Sequence, residues 1–483
     1  MDLIIKNGKV VTAEKMFIAD VGIENGKIKE IGKNIKCTCP NVNPVTNKPS
    51  LTTNVPAEWT SNRVTVINAK GMLVMPGGID AHVHFQVPVC GTVSADDFEN
   101  GTKAAACGGV TTVIDFAFQS KGKTLMETIE ARRKEADGKV CIDYGLHAGI
   151  TSWKNPKVWD EMKEAVKYGI PSFSEIFMCY KEGWITDDYD LWQALIVSAE
   201  LGALICVHAE NAFITKYLSE KYLNEGKTSA YYLALSRPDF AEREAVQRAI
   251  TLAEAAKGNL FIAHISTKEG VRAVSEGRKK GVNVHAETCP QYLVLTDDLL
   301  KKKHGHYYAT CPPLRRQEDC IGLWKGLVDG TIQTIGSDTC TFTTAQKDMW
   351  HGDFTRIPYG LPGVENLLPV VYNAGVNSKK FSINRFVELI ATNPAKLFGL
   401  YPQKGTIKVD SDADIVIFDP KKKVTISYKN LTTNCDWSPY QGMRLKGYPV
   451  ITISHGEVIA KDGKFVGKVG RGRFLKRNAG GRI

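Results

Sequence analysis

The chain of 483 residues is 43% apolar and carries a net charge of +10, from 62 Lys and Arg against 52 Asp and Glu, so it can bury one large core and a smaller one. Its basic residues are scattered without an aromatic-interleaved stripe, which argues against a nucleic-acid surface, and no charge-free run of about 18 residues suits a membrane helix. No leader pattern opens the chain and the twelve cysteines are spread through apolar segments and turns, so a soluble, cytoplasmic protein with reduced thiols is expected.

The first stretch, "LIIKNGKVVTAEKMFIADVGIENGKIKEIG", alternates apolar and polar residues and contains "NGK" twice, each expected to close a hairpin of a small antiparallel sheet. Residues 36 to 63, rich in Asn, Thr, Pro and Cys, read as an inserted loop. The "CTC" at Cys37 and Cys39 lacks a second thiol pair nearby and reads as part of that loop.

From residue 76 to 399 the pattern changes. Eight β-branched runs, beginning with "GIDAHVH", "GVTTVIDFA", "CIDYGLHA" and "SFSEIFM" and continuing with "ALICVHA", "LFIAHIS", "VNVHAET" and "TIQTIGSD", alternate with amphipathic stretches such as "TLMETIEARRKEADG". In "SADDFENGTKAAACGG", Ser94 is the expected N-cap and Gly108 the stop. Strand then helix, eight times, predicts an α/β fold with a (β/α)8 TIM barrel, and the polar residues at successive strand ends favour closure over an open sheet.

Near the far end "KGTIKVDSDADIVIFDP" and "YPVITISHGEVIAKDGKFVG" return to the opening style. Residues 1–75 and 400–470 are therefore expected to pair into one β-sandwich around the barrel. The basic tail 471–483 reads as a solvated or subunit-contacting arm.

The chemistry gathers at the predicted strand ends. In "GGIDAHVHF" the imidazoles of His82 and His84 are two residues apart on a strand and face the same way. His208 ends the fifth strand ("ICVHAEN"), His264 the sixth ("FIAHIS") and Asp338 the eighth ("TIGSDTC"). One barrel mouth lined this way suits zinc or a similar divalent ion, and the set has too many ligands for one tetrahedral ion. Two ions need an anionic bridge, and Glu175 in "SFSEIFMCY" is the carboxylate that the fourth strand supplies. A single histidine at a strand end is more often structural, and His147 and His285 are read that way. His304, His306, His351 and His455 lie in polar loops and read as surface residues.

These segments resemble a known family. With "PGGIDAHVHF", "GGVTTVIDF", "FMCYKEG", "VHAENA", "AHISTKEG", "ETCPQYL", "CPPLR", "GSDTCTFTTAQK", "IPYGLPGVE" and "TNPAKLFGLYPQKGTI", the chain is similar over essentially its whole length to the cyclic amidohydrolases of the dihydropyrimidinase and hydantoinase group. The resemblance implies a β-sandwich plus a distorted barrel, usually a homotetramer, with a binuclear zinc centre that opens a cyclic amide to an N-carbamoyl amino acid. It carries His82, His84, His208 and His264 over as metal ligands and Asp338 as ligand and proton shuttle. It further implies Tyr180 as a hydrogen-bond donor to the developing oxyanion, and Cys311 and Tyr359 as substrate contacts through their backbone.

One departure matters. The family bridges its metals with a lysine carboxylated on its side-chain nitrogen, and the matching position, five before Tyr180, is Glu175. Its carboxylate sits on a tether about three bonds shorter, so with Zn–O bonds of roughly 2.0–2.2 Å the backbone has to approach for it to bridge. The segment is also one residue longer than the family pattern, which is expected to bulge the strand inward. The competing outcome is a crippled centre. Thr339 and Tyr359 stand where relatives often carry His or Asn, and Asn. Allantoinase and dihydroorotase share the metal set, and the collapsin response mediator proteins, scaffolds of this fold, lack it. All five metal-ligating matches here favour an enzyme.

Overall fold

The computed structural model describes residues 1–36, 64–179 and 184–480, together with the strand Val42–Val45. Both chain ends enter one ten-stranded sheet. Its N-terminal strands are β1 (Leu3–Val11), β2 (Met16–Glu24), β3 (Lys27–Gly32), β4 (Val42–Val45), β5 (Val64–Asn68) and β6 (Leu73–Pro76). β1, β2 and β3 pair antiparallel in order, while β5 and β6 run parallel to β1.

The two "NGK" stretches part company. Asn25 and Gly26, at φ 50° and 74°, turn β2 into β3 as a tight hairpin requires. Asn7 to Lys9 lies inside β1 instead, where the register against β2 slips between Ile5 and Gly8 and Asn7 takes φ 61°. It is a β-bulge and not a turn: both demand a left-handed residue, so the dipeptide alone does not distinguish them. Gly8 also admits the neighbouring strand, since a Cβ there would stand 2.4 Å from Val74 Cγ2.

The eight strands read from the sequence form the second sheet. In chain order they are β7 (Gly78–Val83), then after a two-residue hairpin β8 (Pro88–Val89) and β9 (Thr92–Val93), β10 (Val110–Phe118), β11 (Asp143–Gly149), β12 (Ser172–Phe177), β13 (Leu204–His208), β14 (Leu260–Ile262), β15 (Val284–Thr288) and β16 (Thr334–Ile335). Every neighbouring pair from β7 and β10 to β16 is parallel. A parallel bridge from Val83 to Thr339, with His84 N donating to Thr339 O at 2.9 Å, links the last segment back to β7. The result is a nearly closed barrel, its strands buried on both faces as helix-covered parallel strands are.

Thr124 opens Leu125–Ala136 with a capping box, as a Thr-x-x-Glu start dictates. Phe98–Cys107 is capped by Asp97, not by Ser94, and ends at Gly108. Ser94 Oγ instead accepts from Val87 N and donates to His84 O, tying down the loop that leaves β7. The C-terminal strands β17 (Ile415–Thr425), β18 (Arg444–Ser454), β19 (Glu457–Lys461) and β20 (Lys464–Phe465) complete the first sheet, with β17 antiparallel to β6.

The basic tail corrects the sequence reading. Tyr144 N donates to Arg473 O at 3.0 Å and Leu475 N to Tyr144 O at 2.7 Å, and Arg477 is 2% exposed. Its guanidinium donates to Ser172 Oγ at 2.9 Å, to Leu146 O and to Phe398 O. The tail is thus no solvated arm, because its backbone pairs with the start of β11 and its arginine satisfies carbonyls at the end of the barrel opposite the strand C-termini. Burial lowers the Arg477 pKa to about 9. Arg477→Ala leaves these acceptors unpaired and is predicted to destabilise the protein by about 2–4 kcal/mol; an unchanged urea midpoint would contradict this.

Candidate metal centre

The C-terminal ends of the barrel strands bring the singled-out residues together. His82 lies at the end of β7 and His84 directly follows it, Glu175 lies in β12 and His208 closes β13, while His264 and Asp338 follow β14 and β16. The last two have φ 34° and 51°, left-handed values that cost a non-glycine residue energy and that cluster at functional sites. Nε2 of His82 and of His84 lie 3.4 and 3.3 Å from Asp338 Oδ1. His208 Nδ1 and His264 Nε2 are 3.1 Å apart.

Glu175 joins the two groups. Its Oε1 is 3.3 Å from both His82 Nε2 and His264 Nε2, and its Oε2 is 4.0 Å from His84 Nε2. Donor atoms of His82, His84, Glu175 and Asp338 all fall within 4.8 Å of one another, and so do those of Glu175, His208 and His264. The reach of this short side chain has a backbone cause. Phe173 pairs with Ile205, yet Ile176 pairs with Val207, so β12 holds one residue more than β13 between these points. The expected bulge is present, and it carries Glu175.

Three carboxylates that the sequence reading passed over support the cluster. Glu287 Oε1 holds His82 Nδ1 at 2.7 Å, Glu210 Oε2 holds His208 Nε2 at 2.9 Å, and Asp80 Oδ1 accepts from the backbone N–H of His82 and Ser337 at 3.2 and 3.0 Å. Asp80 and Glu210 flank their histidines at the same-face spacing of two, a signal present in "IDAH" and "VHAEN". Glu287 belongs to another strand and only the closed barrel reveals it. Arg237 in turn binds Glu210, whose carboxyl is held well below the usual range against the opposing effect of burial.

The electrostatics favour positive charge at the centre. Burial disfavours an imidazolium, but the Asp338 and Glu287 carboxylates outweigh it and hold His82 well above its usual pKa. Burial is likewise outweighed at His264, raised by Glu175, and at Glu175, held well below the carboxylate range by His264 and His82. Asp338 is lowered too, with His82 opposing the burial effect. His82 Nε2, inaccessible to water, makes no hydrogen bond of good geometry despite the two carboxylates near it. Oxygen and nitrogen donors in two sets around a shared acid fit a pair of divalent ions.

A cleft of about 1110 Å³ opens over the cluster, lined by His84, Glu175, His208, Cys311, Asp338 and Tyr359 among others. Its aromatic side is built by Phe116, stacked on His84 with ring centres 4.4 Å apart, and by Phe118, 6.0 Å from Phe177 and 5.6 Å from Trp184. Tyr180 lies outside the described residues, as do Cys37, Cys39 and most of the 36–63 stretch.

His147 is structural, its Nδ1 at 2.7 Å from Ser172 Oγ and its Nε2 at 2.9 Å from Ala81 O, and His285 sits beside Arg278 and Asn283. Two supposed surface histidines are bound to carboxylates by the fold. His306 is buried against Trp350 and bound to Asp348 at 2.7 Å, and His455 reaches buried Asp143 at 2.7 Å. Polar loops here fold back onto the barrel, which local sequence does not disclose.

A parallel barrel with catalytic-type side chains at its strand C-termini defines a barrel enzyme. The amidohydrolase family model matches residues 73–459, and the chain belongs to that family, in its hydantoinase and dihydropyrimidinase branch. It is 42% identical to a D-hydantoinase of Geobacillus stearothermophilus over 99% of this chain and 97% of the relative. Identity to a dihydropyrimidinase of Rattus norvegicus is 39%, over 98% and 88%. The crystal structure of dihydropyrimidinase from Brevibacillus agri superposes with a TM-score of 0.93 at 41% identity, covering both chains fully.

The shifted groups predict a pH response in chelator-treated protein. His82 and His264 have folded pKa values raised above the ordinary 6.5, so the stability they contribute is full below 6.5 and is lost as pH rises through the raised values. His208, lowered by burial, is neutral both folded and unfolded above 6.5 and does not offset the loss. Melting temperature of the chelated protein is expected to fall from pH 6.5 upward, and the fall should shrink when metal is restored. A flat profile in the chelated protein would contradict the assignment.

Proposed function

We propose that this protein is a binuclear zinc hydrolase that opens a 5,6-dihydropyrimidine or a 5-substituted hydantoin to an N-carbamoyl amino acid. The observation that carries the reading is the single carboxylate of Glu175 shared between two histidine sets. In this reading His82, His84 and Asp338 would hold one ion and His208 and His264 the other, with Glu175 serving both in place of a carboxylated lysine. The ions, when bound, supply a nucleophile from water at neutral pH and polarise the ring carbonyl.

The chain's own groups do the rest. Asp338, at the cleft beside His82 and His84, takes the proton from the attacking water and returns it to the ring nitrogen as the C–N bond breaks, acting as base and then acid. Tyr180 donates a hydrogen bond to the carbonyl oxygen as it gains charge. The backbone around Cys311 and Tyr359 pairs with the polar edge of the ring, and the aromatic side of Phe118, Phe177 and Trp184 receives the ring substituent. Such an assembled donor set opposes a purely scaffolding role.

The same reading makes the protein a cytoplasmic homotetramer. The ten cysteines among the described residues are free, in keeping with a reducing compartment. Tyr189 and Phe213 are 67% and 82% exposed on Asp188–Leu201 and Ala212–Asn224, with Trp192 and Tyr217 also exposed, a surface suited to a subunit contact.

Two measurements test the reading. Metal analysis is expected to give about two zinc ions per chain, and loss of amide absorbance, followed in parallel for dihydrouracil, hydantoin, 5-phenylhydantoin, dihydroorotate and allantoin, should be greatest for one of the first three. Glu175→Ala is expected to lose both metal and activity, by about 100-fold or more in rate. Retention of two zinc ions in that variant would remove Glu175 from the bridge.

A further inference from the structure

Lys347 is fully buried, 0% exposed, at the end of the short helix Thr344–Lys347 beyond the eighth barrel strand. Among the described residues it forms no ion pair. Its Nζ donates instead to two backbone carbonyls, Pro358 O at 2.7 Å and Ala309 O at 3.1 Å, and lies 5.6 Å from the Phe342 ring centre and 6.0 Å from that of Trp437. A buried ammonium without a carboxylate is a costly arrangement, and burial brings its pKa down to about 7. Protonated or neutral, a lysine keeps at least two N–H donors, one for each carbonyl.

The two acceptors belong to the segments that flank the cleft. Pro358 immediately precedes Tyr359, and Ala309 stands two residues before Cys311; Thr310, Cys311, Tyr359 and Gly360 all line the cavity. Ala309 O also accepts from Gly360 N at 3.0 Å, so one carbonyl joins both segments and the lysine. Gly360 is itself pressed onto the loop after Asp338, where a Cβ would stand 2.3 Å from Cys340 O. Three loops from different parts of the chain therefore meet at one amine.

We propose that Lys347 is a positioning residue for substrate: by clamping the carbonyls of Ala309 and Pro358 it sets the separation of the Cys311 and Tyr359 backbone, and with it the width of the slot that receives the planar ring. This rests on the reading of those two segments as ring contacts. Among the described residues Lys347 forms no hydrogen bond or ion pair with the metal-ligating side chains or the aromatic side of the cleft, and its amine is taken up by the two carbonyls beside Phe342 and Trp437, so its effect falls on ring binding rather than on the chemical step.

The test is steady-state kinetics of wild type and Lys347→Met on the ring substrate that wild type opens fastest, with zinc content and the urea midpoint measured on the same preparations. KM is expected to rise about ten-fold while kcat stays within about three-fold and zinc stays at the wild-type level, because a shift of an ångström at a contact costs binding without removing a catalytic group. A folded, zinc-loaded variant whose KM lies within two-fold of wild type, or whose kcat alone falls, overturns the inference. Should the Met variant not fold, Lys347→Gln, whose shorter side chain cannot span both carbonyls, is held to the same criteria. Wild type that opens no ring brings down the functional reading and this inference with it; active wild type beside an unmoved KM brings down this inference alone.

Discussion

Everything at the barrel mouth depends on one buried acid standing between two sets of imidazoles. Carboxylate and histidine side chains taken out of water are stable only when their charges are matched. The cluster meets that condition by sharing: Glu175 faces His82 and His264 at 3.3 Å each, while Asp338 faces His82 and His84 from the other side. A dication pair in that space would meet the same demand more fully than protons on His82 and His264. Stability of the site and its chemistry thus follow from the same arrangement.

In the proposed centre, a short acid at the bridging position would place a requirement on the backbone. A carboxylated lysine reaches inward on a long stem, whereas Glu175 needs its strand to come closer. The extra residue in β12, seen as the slip between Phe173 and Ile176 against β13, meets that requirement with a bulge, a device that re-aims a side chain without interrupting the sheet beyond it. In the proposed centre, the short side chain and the bulge that carries it would act together as one compensated change.

Rigidity around the cleft is supplied from behind. Glu287, Glu210 and Asp80 fix the outer edges of the ligating segments, Arg237 and Arg315 stand near Glu210, and Lys347 ties loops that the barrel leaves without regular structure. Ligand orientation by such outer partners commonly accounts for a large share of metal affinity. At the opposite end of the barrel, Arg477 from the C-terminal tail binds Ser172, whose hydroxyl also meets His147, so the far terminus of the chain packs beneath the strand that carries Glu175.

Much was determined by the sequence alone. Period-two and helical patterns marked eight strand–helix units, and same-face spacing with strand-end placement picked out His82, His84, Glu175, His208, His264 and Asp338, because a barrel turns local position along a strand into a common mouth. What only the tertiary structure decided were the features that arise from segments distant in the chain. "NGK" became a turn at Asn25 and a bulge at Asn7 according to which strand packed alongside. The helix cap fell to Asp97 once Ser94 was engaged by Val87 and His84. His306 was buried, His455 was bound to buried Asp143, and the basic tail was drawn under the barrel, by loops folding back on partners more than ten residues away. Local pattern encodes which way a side chain points; only closure of the barrel encodes what it meets.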